Sequence, residues 1–192
     1  MNWPIVLRAD RLTLRPLKMR DKKSWDSVRL ANHDWLSPWE ATRPAIEGEE
    51  NSGALPTFYQ MVRQHHRDGR NCRSLSLGIW FRQDGSNQFV GQITLGGIVL
   101  GALRGAHIGY WIDSRFANRG LTTSAVNLLT EYAFTDLNLH RIEINVRPEN
   151  SASIRVAEKC GYTLESVRPR FLHIDGQWRD HNSFVKENSR IR

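Results

Sequence analysis

Cysteine is almost missing from this 192-residue chain, which holds two, Cys72 and Cys160. They lie far apart in periodic segments and lack metal-ligand spacing. That pattern excludes a disulfide scaffold and a zinc knuckle, and predicts reduced, structural thiols in a cytoplasmic chain. No apolar run approaches the roughly 20 residues a membrane helix needs. The opening Met1-Asn2-Trp3-Pro4 lacks the basic-then-apolar pattern of a secretory leader. There is no internal repeat and no low-complexity segment. Acidic residues are outnumbered by basic ones, 20 against 27, for a formal charge of +7. Such an excess favours anionic partners (nucleic acid, phosphate-bearing cofactors, acidic surfaces) or is an inert basic surface.

What is present suffices for one domain with a sizeable core, seven tryptophans included. Residues 11–17 alternate as a half-buried strand. Asp21 offers an N-cap to a helix with Trp25, Val28 and Leu30 on one face. Asn32 to Glu40 is turn-rich, with Trp35 and Trp39 flanking Ser37-Pro38, and Ala41 to Ala54 reads as a loop. Pro56 suits the first turn of a second helix, whose face is Phe58, Met61, Val62 and His65 and whose end is Gly69. Two alternating runs around Asp84-Gly85-Ser86-Asn87 predict a hairpin. Gly96 to Gly105, with four glycines, predicts a loop or irregular strand.

The stretch from Ala106 to Leu137 organises the rest. A strand ends at Asp113-Ser114. A turn of Arg115, Asn118, Arg119 and Gly120 follows. Then Leu121, Ala125, Leu128, Leu129, Tyr132 and Ala133 recur at helical spacing. Strand, small-residue turn and helix aim backbone N–H groups and a helix dipole at an anion, here the pyrophosphate of a nucleotide cofactor. Arg141 to Val146 alternates as a strand parallel to the first. Asn150 caps a further helix ending at Gly161. Extended runs from Tyr162 to Val167, Arg170 to Ile174 and Gln177 to Val185 close the chain, with Asp175-Gly176 as a hairpin turn and a frayed tail after Lys186. The expected architecture is an α+β fold: a mixed, mainly antiparallel sheet with one parallel central pair and helices on both faces.

In order and spacing, several of these segments resemble the GCN5-related N-acetyltransferases, the GNAT family, and within it the ribosomal-protein alanine N-acetyltransferases. They are Leu12-Thr13-Leu14-Arg15-Pro16-Leu17, Ile108-Gly109-Tyr110-Trp111-Ile112, Arg147-Pro148-Glu149-Asn150-Ser151-Ala152-Ser153, Lys159-Cys160-Gly161-Tyr162 and Trp178-Arg179-Asp180-His181. The resemblance spans nearly the whole chain. It implies acetyl-CoA as cofactor, an amine as acceptor, and direct attack of that amine on the thioester.

The family's phosphate turn is usually Gln/Arg-x-x-Gly-x-Gly/Ala. Here it is Ala117-Asn118-Arg119-Gly120-Leu121-Thr122. Ala117 lacks the polar side chain, so Arg115 or Arg119 must supply charge. Asn118 tolerates the left-handed backbone that glycine usually takes there. Thr122 either crowds a phosphate or donates its hydroxyl. Arg119 is otherwise a solvated turn residue. The resemblance further implies that Tyr110, Trp111 and Ile112 offer backbone N–H groups to the cofactor and to a developing oxyanion. It places Ser153 near the sulfur as general acid, the alternative being a serine that bonds the first helical turn. Asn150 orients the cofactor, caps the helix, or both; Tyr162 is a second proton donor or core.

Glu143 is the candidate for holding a water or attracting the ammonium, against an ion pair with Arg141 or Arg147. His173 is another candidate base, and His140 reads as a helix end. An α-amine is about a quarter neutral near pH 7.5, whereas a lysine is neutral on the order of one part in a thousand, so an N-terminal acceptor needs little base. Trp39 walls an alanine-sized pocket or packs in the core, and Glu40 attracts a positively charged N-terminus. The expected activity is acetylation of a protein N-terminus, that of a ribosomal protein by resemblance, with contact to the ribosome. The alternatives are a small amine such as an antibiotic or polyamine, or a non-catalytic module that binds CoA or rRNA. Monomer and homodimer both stay open.

Overall fold

The computed structural model describes residues 3–45 and 56–191. The expected loop from Ala41 to Ala54 therefore lies outside the described residues from position 46 onward. Eight strands form one sheet: β1 (Leu7–Ala9), β2 (Leu12–Arg15), β3 (Leu75–Gln83), β4 (Ser86–Val99), β5 (Gly105–Ile112), β6 (Arg141–Val146), β7 (Thr163–Ile174) and β8 (Gln177–Glu187). Their order is β1-β2-β3-β4-β5-β6-β8-β7. Every pairing is antiparallel except β5 with β6. That exception follows from the helix α4 (Leu121–Thr135) between them, which returns the chain to the same end of the sheet.

Alternation along β3 sends Leu75, Leu77 and Ile79 to one face, where all three are fully buried. They join Ala125, Val126, Leu129 and Ala133, the apolar stripe of α4, in one core cluster that also takes Ala157 of α5 (Ser151–Lys159). On the opposite face Leu17, Trp80 and Phe89 meet Val28 of α1 (Lys22–Ala31) and Phe58 and Val62 of α3 (Phe58–Arg70). Helices thus cover both faces, as the pattern predicts. Between α1 and α3 the turn-rich stretch forms a one-turn helix, α2 (His33–Leu36), and a 3-10 turn, Ser37–Trp39.

Several local expectations are corrected. The edge strand β1 is too short to show a period. Asp21 stands at the N-cap of α1, as expected, but makes no side-chain cap bond: its carboxylate accepts the Lys18 N–H at 2.7 Å and holds Arg15 at 2.7 and 3.1 Å. Leu30 is 82% exposed rather than part of the α1 face. The second helix is capped by Thr57, whose capping box with Gln60 displaces Pro56 to a position outside the helix. Gly69 does not end it either. It lies within α3, and the Trp3 ring occupies the place a Cβ would need, at 2.6 Å. For the glycine-rich segment the irregular-strand alternative holds: β4 runs on to Val99, bulging between Gly96 and Val99. The two expected runs after Tyr162 are one strand, β7, interrupted by bulges. His140 ends no helix; α4 stops at Thr135, and the His140 carbonyl accepts the Asn188 N–H.

The tail does not fray at Lys186. β8 reaches Glu187, and buried Asn188 gives its side-chain N–H groups to the Phe134 and Leu139 carbonyls at 3.2 and 3.1 Å. No helix among the described residues is long and apolar enough to cross a membrane.

Candidate active site

The site starts where β5 leaves β6. Their register runs from Gly105↔Arg141 to His107↔Glu143 and stops, although β5 continues to Ile112 and β6 to Val146. Beyond that point β5 stays paired with β4, and β6 with β8. Asp113 N–H bonds the Val90 carbonyl at 2.7 Å. Antiparallel alternation then sends the Trp111 and Gly109 amides toward β4 and those of Tyr110 and Ile112 into the gap. The carbonyl of Ile112 faces the same way and accepts Trp35 Nε1 at 3.1 Å. The parting strands therefore leave backbone donors of Tyr110 and Ile112 lining a cleft.

Across the gap stands the first turn of α5. Asn150 caps it, its Oδ1 accepting the Ser153 N–H at 3.0 Å. The Tyr110 hydroxyl donates to the Ser153 carbonyl at 3.2 Å, tying β5 to α5 across the cleft. Burial pushes the Tyr110 phenol well above its ordinary value, so it stays a proton donor. Ser153 is half-buried. With Asn150 satisfying its N–H and Tyr110 its carbonyl, its hydroxyl has no protein partner among the described residues and is left for a ligand.

At the mouth of the cleft, Ser114–Phe116 forms a 3-10 turn before the phosphate-turn residues. Asn118 takes φ 59° and Gly120 φ 75°. The left-handed backbone expected of Asn118 is observed, and Gly120 is needed for conformation alone, since a Cβ there would meet nothing within 4 Å. Gly120 is the N-cap and has no side chain to bond the first turn of α4, so the Leu121 and Thr122 amides are open toward an anion.

Arg115 is tied into the fold at the foot of the turn. Its Nε bonds fully buried Asp113 at 3.0 and 3.1 Å. Arg119 is the cation left at the turn, exposed and stacked over Phe116 at 5.0 Å. We expect Arg119→Ala to weaken acetyl-CoA binding about tenfold, the loss of one exposed charge-assisted contact, with kcat nearly unchanged. Titration calorimetry checks this; an unchanged dissociation constant would return Arg119 to the solvated surface.

Glu143 is brought beside the cleft but not free. Its Oε1 accepts Arg141 at 3.0 Å and its Oε2 accepts Arg168 at 2.8 Å. The ion-pair alternative is what forms, with Arg168 rather than Arg147 as the second partner. Arg147 instead donates to the Pro38 carbonyl at 2.8 Å and lies over the Trp39 ring at 5.3 Å. Trp39, 38% exposed, is thus at the surface rather than in the core. Glu40 is ion-paired with Arg29. The segment after it is clipped onto the β7–β8 hairpin: Thr42 N–H bonds the His173 carbonyl at 2.9 Å, and the Thr42 hydroxyl meets His173 Nδ1 at 2.8 Å. His173 is therefore part of that clip. Tyr162 is core, its hydroxyl 2.6 Å from Thr130 Oγ1. Burial pushes the Cys160 thiol up to about 11, consistent with an inert structural cysteine.

Sequence reasoning missed four contributors: Asp113, Asn32, Arg168 and the Tyr110 hydroxyl. Asn32 is buried at the end of α1 and accepts the Ser114 N–H at 2.8 Å, anchoring the phosphate turn to the first helix. His107 is a fifth side chain near the cleft. Its ring packs over Gly96 and Gly97 of β4, and burial lowers its pKa, so it is neutral at pH 7. No local pattern marks these residues; only Asp113, a lone acid closing an apolar strand, carried a signal.

The chain's residues fit the acetyl-CoA that the resemblance implies. The uncapped α4 terminus with Arg119 suits a pyrophosphate, the Tyr110 and Ile112 amides suit an amide-bearing arm, and Ser153 has a free hydroxyl.

Comparison with known proteins agrees. The profile described as acetyltransferase (GNAT) domain matches residues 11–163. The uncharacterized N-acetyltransferase p20 of Bacillus licheniformis is 39% identical over 167 residues, 84% of each chain. The [ribosomal protein uS5]-alanine N-acetyltransferase of Escherichia coli (strain K12) is 28% identical over 185 residues, 94% of this chain and 90% of that one. The structure of Mycobacterium smegmatis RimJ in complex with CoA-disulfide superposes with a TM-score of 0.84 at 35% identity, covering 98% of this chain and 90% of that one. With the parted β5–β6 pair and the left-handed turn into α4, these matches make the chain a member of the GNAT acetyltransferase family, acetyl-CoA-dependent N-acetyltransferases.

Proposed function

We propose that the protein transfers the acetyl group of acetyl-CoA to the N-terminal α-amine of a ribosomal protein in the cytoplasm. The observation that carries this reading is the state of Glu143. Both its oxygens are held by guanidinium groups, so the acid nearest the cleft is committed, and His107 is packed onto β4. A site without a dedicated carboxylate base suits an acceptor that is already partly neutral, and among protein amines that is the α-amine rather than lysine. The acceptor mouth fits a chain end: Trp39 of the 3-10 turn and Trp178 of the β7–β8 hairpin are both exposed, on elements joined by the Ala41↔Ile174 bridge. The names of the relatives in Escherichia coli and Mycobacterium smegmatis point the same way.

Acetyl-CoA supplies an activated thioester carbonyl. The chain's share is positional. The Tyr110 and Ile112 amides donate into the cleft where negative charge develops. The Ser153 hydroxyl gives a proton to the departing sulfur. Tyr110 and Asn150 hold Ser153 in place through its carbonyl and its N–H.

Turnover should be seen with Ala- or Ser-starting peptides and be absent with their N-blocked forms. Mass spectrometry of cellular protein N-termini, with and without the gene, then names the acceptor. Turnover confined to polyamines or antibiotics would sink the proposal.

A further inference from the structure

A concavity of about 460 Å³ lies outside the cleft. It opens on the β1–β2–β3 end of the sheet, on the face away from α4. Five cations line it, Arg8, Arg11, Arg15, Lys18 and Arg82, against one carboxylate, Asp10. Arg15 is spoken for: it is bidentate with Asp21 and lies 3.8 Å over the Trp80 ring. Arg8, Arg11, Lys18 and Arg82 are exposed and have no acidic partner among the described residues. Allowing for Asp10 and Asp21, three of the chain's seven excess positive charges gather in this one hollow. Arg8 faces Thr13 and Thr13 faces Trp80 across β1, β2 and β3, while Arg11 lies in the β1–β2 turn and Lys18 follows β2.

We propose that this hollow binds the phosphodiester backbone of duplex RNA. Guanidinium groups match phosphate geometry, and two of them, on Arg8 and Arg82, stand on paired strands. Thr13 and Asn87, which also line it, offer hydroxyl and amide groups to phosphate or 2′-hydroxyl oxygens. The one large aromatic there, Trp80, is 7% exposed and covered by Arg15, so no face remains for stacking an unpaired base. That selects the backbone of a helix over a single strand, and no sequence preference follows. An acidic peptide is disfavoured because the lining has no apolar pocket to seat its other side chains. The choice of RNA over DNA rests on the proposed ribosomal acceptor. β4 separates the hollow from the β5–β6 cleft, so binding there leaves the acetylation site accessible.

The test is fluorescence anisotropy of the full chain with a labelled 20-base-pair RNA duplex across 50 to 200 mM salt. Neutralising three phosphates gives a log–log slope of roughly −2.7, which is about a 40-fold loss over that range. Arg8→Gln with Arg82→Gln should weaken binding at least tenfold and reduce the slope to about −1. The charge-matched Arg63→Gln with Arg67→Gln on α3 should do neither. Acetylation of a free peptide should be unaffected by either pair; that arm reports separately on the proposed acceptor. No RNA binding at 50 mM salt, or equal losses from the two pairs, would overturn the proposal. A DNA duplex binding as tightly as the RNA, or polyglutamate displacing the RNA at equal charge, would overturn the assignment to RNA.

Discussion

Ser153→Ala should lower kcat on the order of 100-fold while changing acetyl-CoA affinity less than about threefold. The geometry separates the two effects. Every backbone bond that seats Ser153 survives the substitution: Asn150 Oδ1 still accepts its N–H, and Tyr110 still donates to its carbonyl. Only the hydroxyl goes, and no protein group among the described residues depends on it. A serine that merely served the helix would be silent, because Asn150 does the capping. Proton donation to a leaving group contributes about 10²–10⁴-fold where it operates, so the loss should be large and confined to kcat. Ser153→Thr keeps a hydroxyl and should retain part of the rate. Steady-state kinetics with a peptide acceptor, paired with calorimetric acetyl-CoA binding, reads both quantities. Unchanged kcat for Ser153→Ala would remove the serine from the chemistry and leave the thiolate to be protonated by solvent.

The contrast between Ser153 and Glu143 shows what a single sequence carries. Ser153 lies three residues after its cap, so its placement is local, and the Asn-x-x-Ser spacing that predicts the cap is what the structure displays. Glu143 leaves two readings open in the sequence, a free carboxylate or an ion pair with Arg141 or Arg147, because its second partner, Arg168, is 25 positions away on another strand. Pairings of that range depend on strand register, which alternation alone leaves undetermined. The Tyr110 hydroxyl bond to residue 153 was hidden for the same reason. Between the two extended runs now joined in β7 lies Pro169, which cannot donate to a ladder. The strand tolerates it because β7 is an edge strand and bulges there. The tail misled through composition: polar residues predict fraying, yet Asn188 satisfies two buried carbonyls near the end of α4. The parallel pair, the phosphate turn and the capped α5 were legible because each is set by contiguous residues with turn or cap chemistry.

Asp113→Ala should cost about 2–3 kcal/mol of stability, a fall of roughly 5–10 °C in Tm for a chain of this length, and should weaken acetyl-CoA binding as well. Asp113 closes β5, is fully buried, and organises the turn that follows. Its carboxylate accepts the Arg115 N–H at 3.0 Å and the Arg115 guanidinium, while its carbonyl accepts the Phe116 N–H at 2.9 Å. Without it the 3-10 turn loses its cap, and Asn118 and Gly120 lose the base from which they aim the α4 amides. The estimate stays at the low end for a buried charge because the Arg115 side chain is 66% exposed and water can rehydrate it. Burial raises the Asp113 pKa, but its hydrogen bonds and the Arg115 charge outweigh this and hold the carboxyl below its ordinary value. A depressed folded-state pKa fixes the sign. The ionised form stabilises the fold above the unfolded value of about 3.9, and that contribution is lost as pH falls below it toward the folded value. Urea melts of wild type and Asp113→Asn should therefore differ most between pH 5 and 7 and converge below about pH 4. A difference that persists unchanged to pH 3 would show that ionisation is not what Asp113 contributes, and a wild-type Tm in the alanine variant at pH 7 would show that the turn is held by its backbone alone.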